Sequence, residues 1–353
     1  MNQDPYIALL CELIRMRPVS SNIEAVNRVQ QRVCDFLTER GIYCSMEMNN
    51  DRKVLFASTS SEKTPDVLLC THLDVVPAED ESQFEPEIKG NLLYGRGSTD
   101  CLGNSIVAIR TLCEYKDKIS IGCIFCGDEE IGGLTAAAMI ERGYGAKNFA
   151  LILDSGRNIY YAHKGILCLK VTAEGHGGHS SQPWNFENPV LALINGLHAL
   201  FADWKNPTKN DTWHLSIAPT ILQAGNAVNR IPDTAEAILN IRVIKKTEIE
   251  EITSLIREKT GLKVEILEQS DPFESSADSE LLRRLKTAYE HAFGVTIEPA
   301  KMMGATDARH LYKIGCPLYI TGVSGNGIHG REEYVELDSL DKLFAVLTEL
   351  LIG

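Results

Sequence analysis

The sequence predicts an α/β protein in which a domain built on a mainly parallel sheet carries a smaller inserted unit. Continuous apolar runs at 67–69, 121–126 and 151–153 alternate with amphipathic helices, as in sheets that are covered on both faces. Residues 166–275 instead follow the order β-α-β-β-α-β, which is typical of a ferredoxin-like α+β unit. A length of 353 residues also favours about two domains.

The first predicted segment, residues 1–165, begins with a helix and carries the apolar strands. Asp4 followed by Pro5 is typical of a helix N-cap and the first helical position. Another amphipathic helix is predicted over 103–115, between two of the apolar strands. This alternation of strands and helices indicates a mainly parallel sheet.

The second predicted segment, residues 166–275, has strands with alternating polarity and two helices. Its clearest elements are strands at 167–173 and 234–243, a helix that begins at Pro189, and a helix at 248–259. The α/β pattern then resumes in residues 276–353. We therefore predict that 166–275 is a domain inserted into a larger one.

Composition and charge exclude several classes of partner. The 35 basic and 48 acidic residues give a net charge of −13, which disfavours binding to the phosphates of nucleic acids. No apolar run approaches the length of a membrane span, and the N-terminus lacks the pattern of a signal peptide. The ten cysteines are scattered through apolar segments, as is usual in a reducing compartment. We expect a cytoplasmic protein that binds neither nucleic acid nor membranes.

Residues able to bind metal or move protons stand at the ends of five predicted strands. They are His72 and Asp74 in THLDVVP, Asp100 in GRGSTD, the acidic run 128–130, Asp154 in LILDSG, and His329 in SGNGIHG. In α/β proteins ligands gather at the carboxyl ends of the strands. We therefore expect these side chains to lie close together.

Each of these motifs also has a structural explanation when taken alone. A single His-x-Asp is structural more often than not, Asp100 could cap the helix that follows it, and the run 128–130 could be a solvated acidic turn. Adjacent carboxylates repel each other unless a cation lies between them. Together the motifs supply the nitrogen and oxygen ligands, the bridging carboxylate and the free carboxylate of a two-metal hydrolytic site.

This set of residues, in this order, resembles the di-zinc aminoacylase and exopeptidase family. Its members include acetylornithine deacetylase, succinyl-diaminopimelate desuccinylase, carboxypeptidase G, aminoacylase and peptidase T. The resemblance extends over nearly the whole chain and includes the insertion, which in the family is a lid and dimerisation domain. It implies a two-metal hydrolase of amide bonds, whose catalytic domain is formed by residues 1–165 and 276–353.

The resemblance also implies a ligand set for two divalent cations, zinc or alternatively cobalt or manganese. The ligands would be His72 and Asp154 for one cation, Glu130 and His329 for the other, and Asp100 as the bridge between them. Glu129 would be the general base, and Asp74 would orient His72, since a histidine ligand needs a partner that fixes its tautomer.

Further roles are implied for the insertion and for two arginines. Residues 175–183 read GHGGHSSQP, in which His179 would reach across a homodimer to the active site of the partner. Residues 224–232 read AGNAVNRIP and contain Asn229, and Arg242 matches the strand arginine of the family. With Arg309, in GATDAR, these residues would bind the substrate carboxylate. For Arg242, a partly buried strand arginine without contact to substrate is the structural alternative.

Two departures from the family pattern bear on the substrate. Residues 101–104 read CLGN, where the family usually has Met-Lys-Gly-Gly. Residues 154–156 read DSG, where family deacylases and carboxypeptidases usually show Gly-Glu-Pro. An aspartate in this segment is commoner in aminopeptidases and dipeptidases. We therefore expect an exopeptidase of short peptides, with a deacylase of N-acyl amino acids as the alternative, since GATDAR is deacylase-like. A non-catalytic metal-binding homologue is disfavoured, because it would not need the spare carboxylate of Glu129.

Overall fold

The computed structural model describes residues 4–352, so residues 1–3 of the first predicted segment and residue 353 of the last lie outside it. The helices, in chain order, are α1 (Pro5–Arg15), α2 (Ile23–Thr38), α3 (Leu102–Tyr115), α4 (Leu134–Glu141), α5 (Pro189–Phe201), α6 (Thr247–Thr260), α7 (Glu280–Phe293), α8 (Ala308–Leu311) and α9 (Leu337–Ile352). Within the described residues, no helix has both the length and the apolar character that crossing a membrane requires.

The strands group with these helices into two compact units. In chain order they are β1 (Tyr43–Asn49), β2 (Arg52–Ser58), β3 (Val67–His72), β4 (Glu87–Lys89), β5 (Leu92–Tyr94), β6 (Ile121–Cys126), β7 (Phe149–Leu153), β8 (Ile159–His163), β9 (Gly165–Glu174), β10 (Gly178–His179), β11 (Ser216–Ala224), β12 (Arg230–Ile231), β13 (Thr234–Val243), β14 (Lys263–Ser270), β15 (Phe273–Glu274), β16 (Ala300–Met302), β17 (Leu318–Thr321), β18 (Gly325–Asn326) and β19 (Tyr334–Glu336). The second unit consists of His163–Phe273 and Met302–Ala305, and the first contains the other described residues. The sequence places residues 302–305 in the last predicted segment, whereas the structure groups them with the second unit.

The large sheet of the first unit contains the strands β1-β2-β6-β3-β7-β17-β8 in that spatial order. The four middle strands, β6, β3, β7 and β17, are parallel to one another. The pairs β1–β2, β2–β6 and β17–β8 are antiparallel and form its flanks. The predicted α/β class with a mainly parallel central sheet is therefore confirmed.

Burial explains why the central strands are continuously apolar. Every residue of β3 and of β6 is buried, so neither face of these strands meets solvent. Helix α3 packs against β3, β6 and β7 and also contacts α1 and α9, while α2 packs on β1 and β2. The core that results places the carboxyl ends of the parallel strands side by side.

Two helix starts bear on the sequence predictions. Helix α1 begins as predicted, because the Asp4 carboxylate accepts a hydrogen bond from the Tyr6 backbone N–H at 2.8 Å and Pro5 is the first helical residue. Helix α3 has Cys101 as its N-cap, without a side-chain hydrogen bond. The alternative that Asp100 caps this helix is therefore wrong.

The second unit contains a four-stranded antiparallel sheet in the order β11-β13-β9-β14. Helices α5 and α6 contact each other and pack on this sheet. The chain order β9-α5-β11-β13-α6-β14 is that of a ferredoxin-like unit. Its core includes Leu167, Leu193, Leu239 and Ile256. The role of this unit as a lid and dimerisation domain stays a prediction.

Leu239 provides a test of this packing, because it is fully buried on β13. Leu239→Ala is expected to lower the free energy of unfolding of the second unit by about 2–5 kcal/mol, since the change removes buried surface and leaves a cavity. The matched control is Leu267→Ala on β14, where the side chain is half exposed and the expected change is below about 0.5 kcal/mol. Urea denaturation followed by circular dichroism measures both, and equal losses would contradict this core.

Candidate metal centre

The residues that the sequence marks for chemistry in the first unit meet at one edge of its sheet. His72 is the last residue of β3, residues 128–130 follow β6, and Asp154 follows β7. Because β3 lies between β6 and β7 and is parallel to both, the carboxyl ends of the three strands are adjacent. The sheet therefore delivers these side chains to one place.

His72 is buried between a backbone carbonyl and two carboxylates. Its Nδ1 lies 2.9 Å from the Asp74 carbonyl oxygen. Its Nε2 lies 3.1 Å from Asp100 Oδ1 and 3.5 Å from Asp154 Oδ1. The Nδ1 contact fixes the direction of the ring, and Nε2 is aimed at the pair of carboxylates.

His329 approaches the same aspartate from the opposite end of the sequence. Its Nε2 lies 3.2 Å from Asp100 Oδ2 and 3.2 Å from Glu130 Oε2. Asp100 thus presents one oxygen to His72 and the other to His329. This is the geometry expected of a carboxylate that bridges two cations.

A tight loop before Asp100 makes this position possible. Gly97 has a φ of +80°, and a Cβ at this residue would lie 2.5 Å from a side-chain atom of Val75. Only glycine suits both the backbone conformation and the close contact. Gly97 therefore allows the tight turn that brings Asp100 to the ligand cluster.

The donor atoms form two sets that share Asp100. The sets are His72, Asp100, Cys101 and Asp154, and Asp100, Glu130 and His329, with the ligand atoms of each set within 4.8 Å of one another. Burial raises the pKa of the Cys101 thiol to about 12, and the thiol donates a hydrogen bond to the Leu153 carbonyl at 2.8 Å. Cys101 is therefore a poor metal ligand, and the atoms suited to bind a cation are the nitrogen and oxygen atoms of the other residues. Glu130 Oε1 is buried and has no hydrogen-bond partner among the described residues. The residues present therefore fit two divalent cations.

The carboxylates of the cluster favour a positive charge among them. Two hydrogen bonds raise the pKa of His329 to about 10; the bond to Asp100 contributes most and the bond to Glu130 comes next. Burial opposes a charged imidazole at His72, but the neighbouring Cys101, Asp154 and Asp100 outweigh it and raise its pKa well above the ordinary value. So many carboxylates in one place stabilise a cation, whether it is a proton on histidine or a metal ion.

Asp74 connects His72 to the turn that carries the acidic run. Its carboxylate lies 3.5 Å from His72 Nδ1, farther than its own carbonyl oxygen. The same carboxylate accepts hydrogen bonds from Ser20 Oγ at 2.7 Å and from the backbone N–H groups of Glu129 at 3.1 Å and Glu130 at 3.4 Å. Asp74 therefore holds two parts of the centre at once, which the sequence did not indicate.

Glu129 lies beside the two ligand sets and not within them. Its Oε1 accepts a hydrogen bond from Arg309 Nη2 at 3.4 Å. Burial, and then the charges of Asp154 and Asp307, raise its pKa well above the ordinary value. A buried carboxylate of raised basicity, next to a cation site and outside its ligand set, is suited to accept a proton.

Arg309 is buried against the acidic turn. Its side chain is 4% exposed, and Nη2 also donates to the Glu129 carbonyl at 3.2 Å. Its Nε donates to His310 Nε2 at 3.3 Å. The structure thus places Arg309 as a support of Glu129, and its binding of a substrate carboxylate stays a prediction.

Three predicted site residues belong to the second unit. His179 is exposed and pairs through its backbone with Arg230, and its Nδ1 accepts a hydrogen bond from the Ser181 backbone N–H at 3.2 Å. The Asn229 carbonyl accepts a hydrogen bond from the Ser180 N–H at 3.0 Å, so the loops of His179 and Asn229 adjoin. Arg242 is half buried on β13, with Nε 3.2 Å from the Asn240 side chain. Their roles stay predictions.

A buried ion pair behind the centre was not predicted. Arg96 Nη1 donates to Glu333 Oε2 at 2.7 Å, and both side chains are 1% exposed. Arg96 is visible in the sequence only as the residue between two glycines. Glu333 follows His329 by four residues in a segment without a motif, so no local signal marks it.

The chain is similar to known proteins over most of its length. Residues 68–352 match the model of peptidase family M20/M25/M40. A probable succinyl-diaminopimelate desuccinylase of Staphylococcus aureus (strain MRSA252) is 25% identical, over 97% of this chain and 96% of the relative.

Two solved structures share the fold at 16% identity. The M20 family metallo-carboxypeptidase Sso-CP2 from Sulfolobus solfataricus has a TM-score of 0.84, with 99% of each chain covered. The aminopeptidase PepT from Bacillus cereus has a TM-score of 0.80, with 99% of this chain and 98% of that chain covered. The resemblance found in the sequence is confirmed: the chain belongs to peptidase family M20/M25/M40 and is a metallo-hydrolase that acts on amide bonds.

Proposed function

We propose that this enzyme is an exopeptidase that cleaves a short peptide at a centre of two divalent cations. The observation that carries the proposal is the position of Asp100, whose two oxygens face His72 and His329 separately while Glu129 stands beside them. Zinc suits this mixture of imidazole and carboxylate donors, and cobalt and manganese are the alternatives.

The two cations are held by ligands on either side of Asp100. His72 and Asp154 would bind one cation, and Glu130 and His329 would bind the other. When bound, such cations polarise the scissile carbonyl and lower the pKa of water toward neutrality.

Glu129 moves the proton during hydrolysis. It accepts a proton from the attacking water, whose oxygen bonds to the carbonyl carbon, and it returns that proton to the amine nitrogen when the C–N bond breaks. Its raised pKa suits this exchange near neutral pH. Arg309 donates to the same carboxylate and keeps it oriented.

In this proposal the second unit forms a homodimer. Its edge strand β11 is exposed over most of its length, with Ile221 49% and Leu222 59% exposed, and α5 exposes Leu191 and Ile194. An apolar sheet edge is a template for pairing, and a two-fold interface would cover it. We place His179 across this dimer as a donor to the carbonyl oxygen of the partner's substrate, following the family resemblance.

The substrate carries a free carboxylate in this proposal. Following the family resemblance, Asn229, Arg242 and Arg309 would bind it, since guanidinium groups donate hydrogen bonds to carboxylates. The cysteines of the chain are all free thiols, which fits a location in the reducing cytoplasm.

A deacylase of N-acyl amino acids is the second candidate. It is favoured by the GATDAR segment and by the staphylococcal relative, which is named as a probable desuccinylase. The exopeptidase is favoured by Asp154-Ser-Gly, and the two solved structures are named as an aminopeptidase and a carboxypeptidase. A non-catalytic homologue is disfavoured by the buried, basic Glu129.

Chelation tests the metal requirement and the substrate class together. Treatment with a strong chelator is expected to abolish hydrolysis, and Zn²⁺, Co²⁺ or Mn²⁺ should restore it, because the ligand cluster then regains its cations. The restored enzyme is assayed by mass spectrometry on matched dipeptides, tripeptides and N-acetyl or N-succinyl amino acids. Preference for the acyl amino acids would replace the exopeptidase with the deacylase, and full turnover by metal-free protein would contradict both.

Substitution of the adjacent glutamates separates proton transfer from metal binding. Glu129→Gln is expected to keep both cations and to lose at least about 10²-fold in kcat, the usual contribution of a general base. Glu130→Gln, its matched control, should lose a cation. Metal content is measured by mass spectrometry of the dialysed proteins, and equal metal content in the two variants would show that the roles are assigned wrongly.

Mixed dimers test the position of His179. His179→Ala is expected to lower kcat by about 10²–10³-fold without loss of metal, as removal of one oxyanion donor does. Mixing this variant with Glu129→Gln should restore part of the activity, because each mixed dimer then contains one site with both residues intact. Exchange of subunits is first verified with differently tagged chains. Verified mixed dimers without recovery would exclude a site shared across the dimer.

A further inference from the structure

We infer that Arg96 and Glu333 are positioning residues of the metal centre, required above all for the cation held by Glu130 and His329. This inference rests on the proposed two-cation site. The two side chains form a buried ion pair directly behind the ligands, with Arg96 Nη1 2.7 Å from Glu333 Oε2. Neither residue belongs to the ligand sets.

Glu333 directs its hydrogen bonds to the loop that ends in the bridging ligand. Its Oε2 accepts from the Gly97 backbone N–H at 2.9 Å as well as from Arg96. Its Oε1 accepts from the backbone N–H groups of Thr99 at 3.1 Å and Asp100 at 3.1 Å. One carboxylate therefore fixes the backbone of the whole turn and, with it, the direction of the Asp100 side chain.

The second terminal nitrogen of the Arg96 guanidinium, Nη2, contacts the loop that carries His329. Its Nη2 donates to the His329 carbonyl at 3.2 Å and to the Gly330 carbonyl at 3.1 Å. The Gln83 amide assists by donating to the Gly330 carbonyl at 3.0 Å. The pair thus ties together two loops more than 200 residues apart in sequence, each of which supplies one ligand.

The two cation positions differ in how much they need this support. His72 ends the buried strand β3 and Asp154 directly follows the buried end of β7, so the sheet itself holds them. His329 has a φ of +61°, which is rare outside glycine, and its side chain is 52% exposed. Its backbone position therefore depends on the contacts from Arg96 and Gln83.

Stability alone is a poor explanation for the pair. Burial of two charges costs about as much as their attraction returns, so a buried ion pair is weak evidence for stabilisation. The hydrogen bonds of Glu333 end on Arg96 and on the loop that carries Asp100, and Arg96 reaches the backbone of His329. Such a pattern is expected of groups that orient metal ligands from behind.

Glu333→Gln is the primary test. Glutamine keeps only one acceptor oxygen. That oxygen can accept hydrogen bonds either from the Thr99 and Asp100 amides or from Arg96 and the Gly97 amide, but not from both pairs. The substitution also leaves the guanidinium of Arg96 without its counter-charge. We expect the cation of Glu130 and His329 to bind about 10–100-fold more weakly, as is usual when a supporting partner of a ligand is lost. The cation of His72 and Asp154 also uses Asp100, so its affinity should fall less, because the sheet holds its other two ligands.

Calorimetric titration of the metal-free full-length protein with Zn²⁺ measures the two affinities, and the absorption spectrum of the Co²⁺ form reports the ligand geometry. His329→Ala identifies which binding step belongs to the second cation. Glu12→Gln is the matched control, because Glu12 pairs with Arg32 through two hydrogen bonds, at 2.7 and 2.8 Å, at a position outside the centre. It should leave both binding steps unchanged.

A second variant tests the inference if Glu333→Gln does not fold. Arg96→Met combined with Glu333→Gln removes both buried charges, so the protein should fold even if Glu333→Gln does not. It is expected to lose the same binding step, since the contacts to His329 are gone. Thermal unfolding of the metal-free proteins reports folding separately.

The outcomes distinguish this inference from the function on which it rests. Wild-type protein that binds fewer than two cations would overturn the proposed function, and this inference with it. Two cations in the wild type, with both steps equally weakened or both unchanged in the folded variants, would overturn only the positioning role. A double variant that does not fold would also overturn it, by making the pair a folding element. A clearly larger loss of affinity at the second step than at the first supports it.

Discussion

The division of the Asp100 carboxylate between two histidines is the contact on which the metal centre depends. One oxygen faces His72 and the other faces His329, at 3.1 and 3.2 Å. Because both ligand sets include this residue, a displacement of Asp100 alters both at once. The surrounding structure accordingly constrains it twice, through the Gly97 turn and through the backbone hydrogen bonds to Glu333.

Periodicity made part of this centre predictable. Continuous apolar strands imply a sheet that is buried on both faces, and parallel strands in such a sheet end at one edge, so His72, Asp154 and residues 128–130 could be expected to meet. Asp100 and His329 lie in loops, where no periodic pattern applies. Their motifs marked them as candidate ligands, but only the resemblance to a family gave each a role. The structural alternative for Asp100, a helix cap, is contradicted by the structure.

Contacts between distant loops could not be predicted in the same way. The Arg96–Glu333 pair joins residues 237 positions apart, and the Arg309–Glu129 contact joins residues 180 apart. Charged residues of these types are common on any surface, so their identity alone does not reveal burial. Partner choice depends on how the loops fold over the sheet, which is a tertiary property. The partners of Asp74 were equally unpredictable. Its carboxylate lies closer to the backbone N–H groups of the acidic turn than to the ring of His72.

The short turn Glu129–Ile131 gives two adjacent glutamates different partners. The Asp74 carboxylate accepts hydrogen bonds from the backbone of both glutamates and fixes the turn, so the two adjacent side chains must diverge. Glu130 faces His329 and keeps one buried oxygen that has no hydrogen-bond partner within residues 4–352, whereas Glu129 faces the Arg309 guanidinium. Burial raises the pKa of both carboxyls, so it does not distinguish them. Their partners do: a carboxylate among imidazoles and a second carboxylate is placed to bind a cation, and one held by an arginine outside that set stays available for a proton.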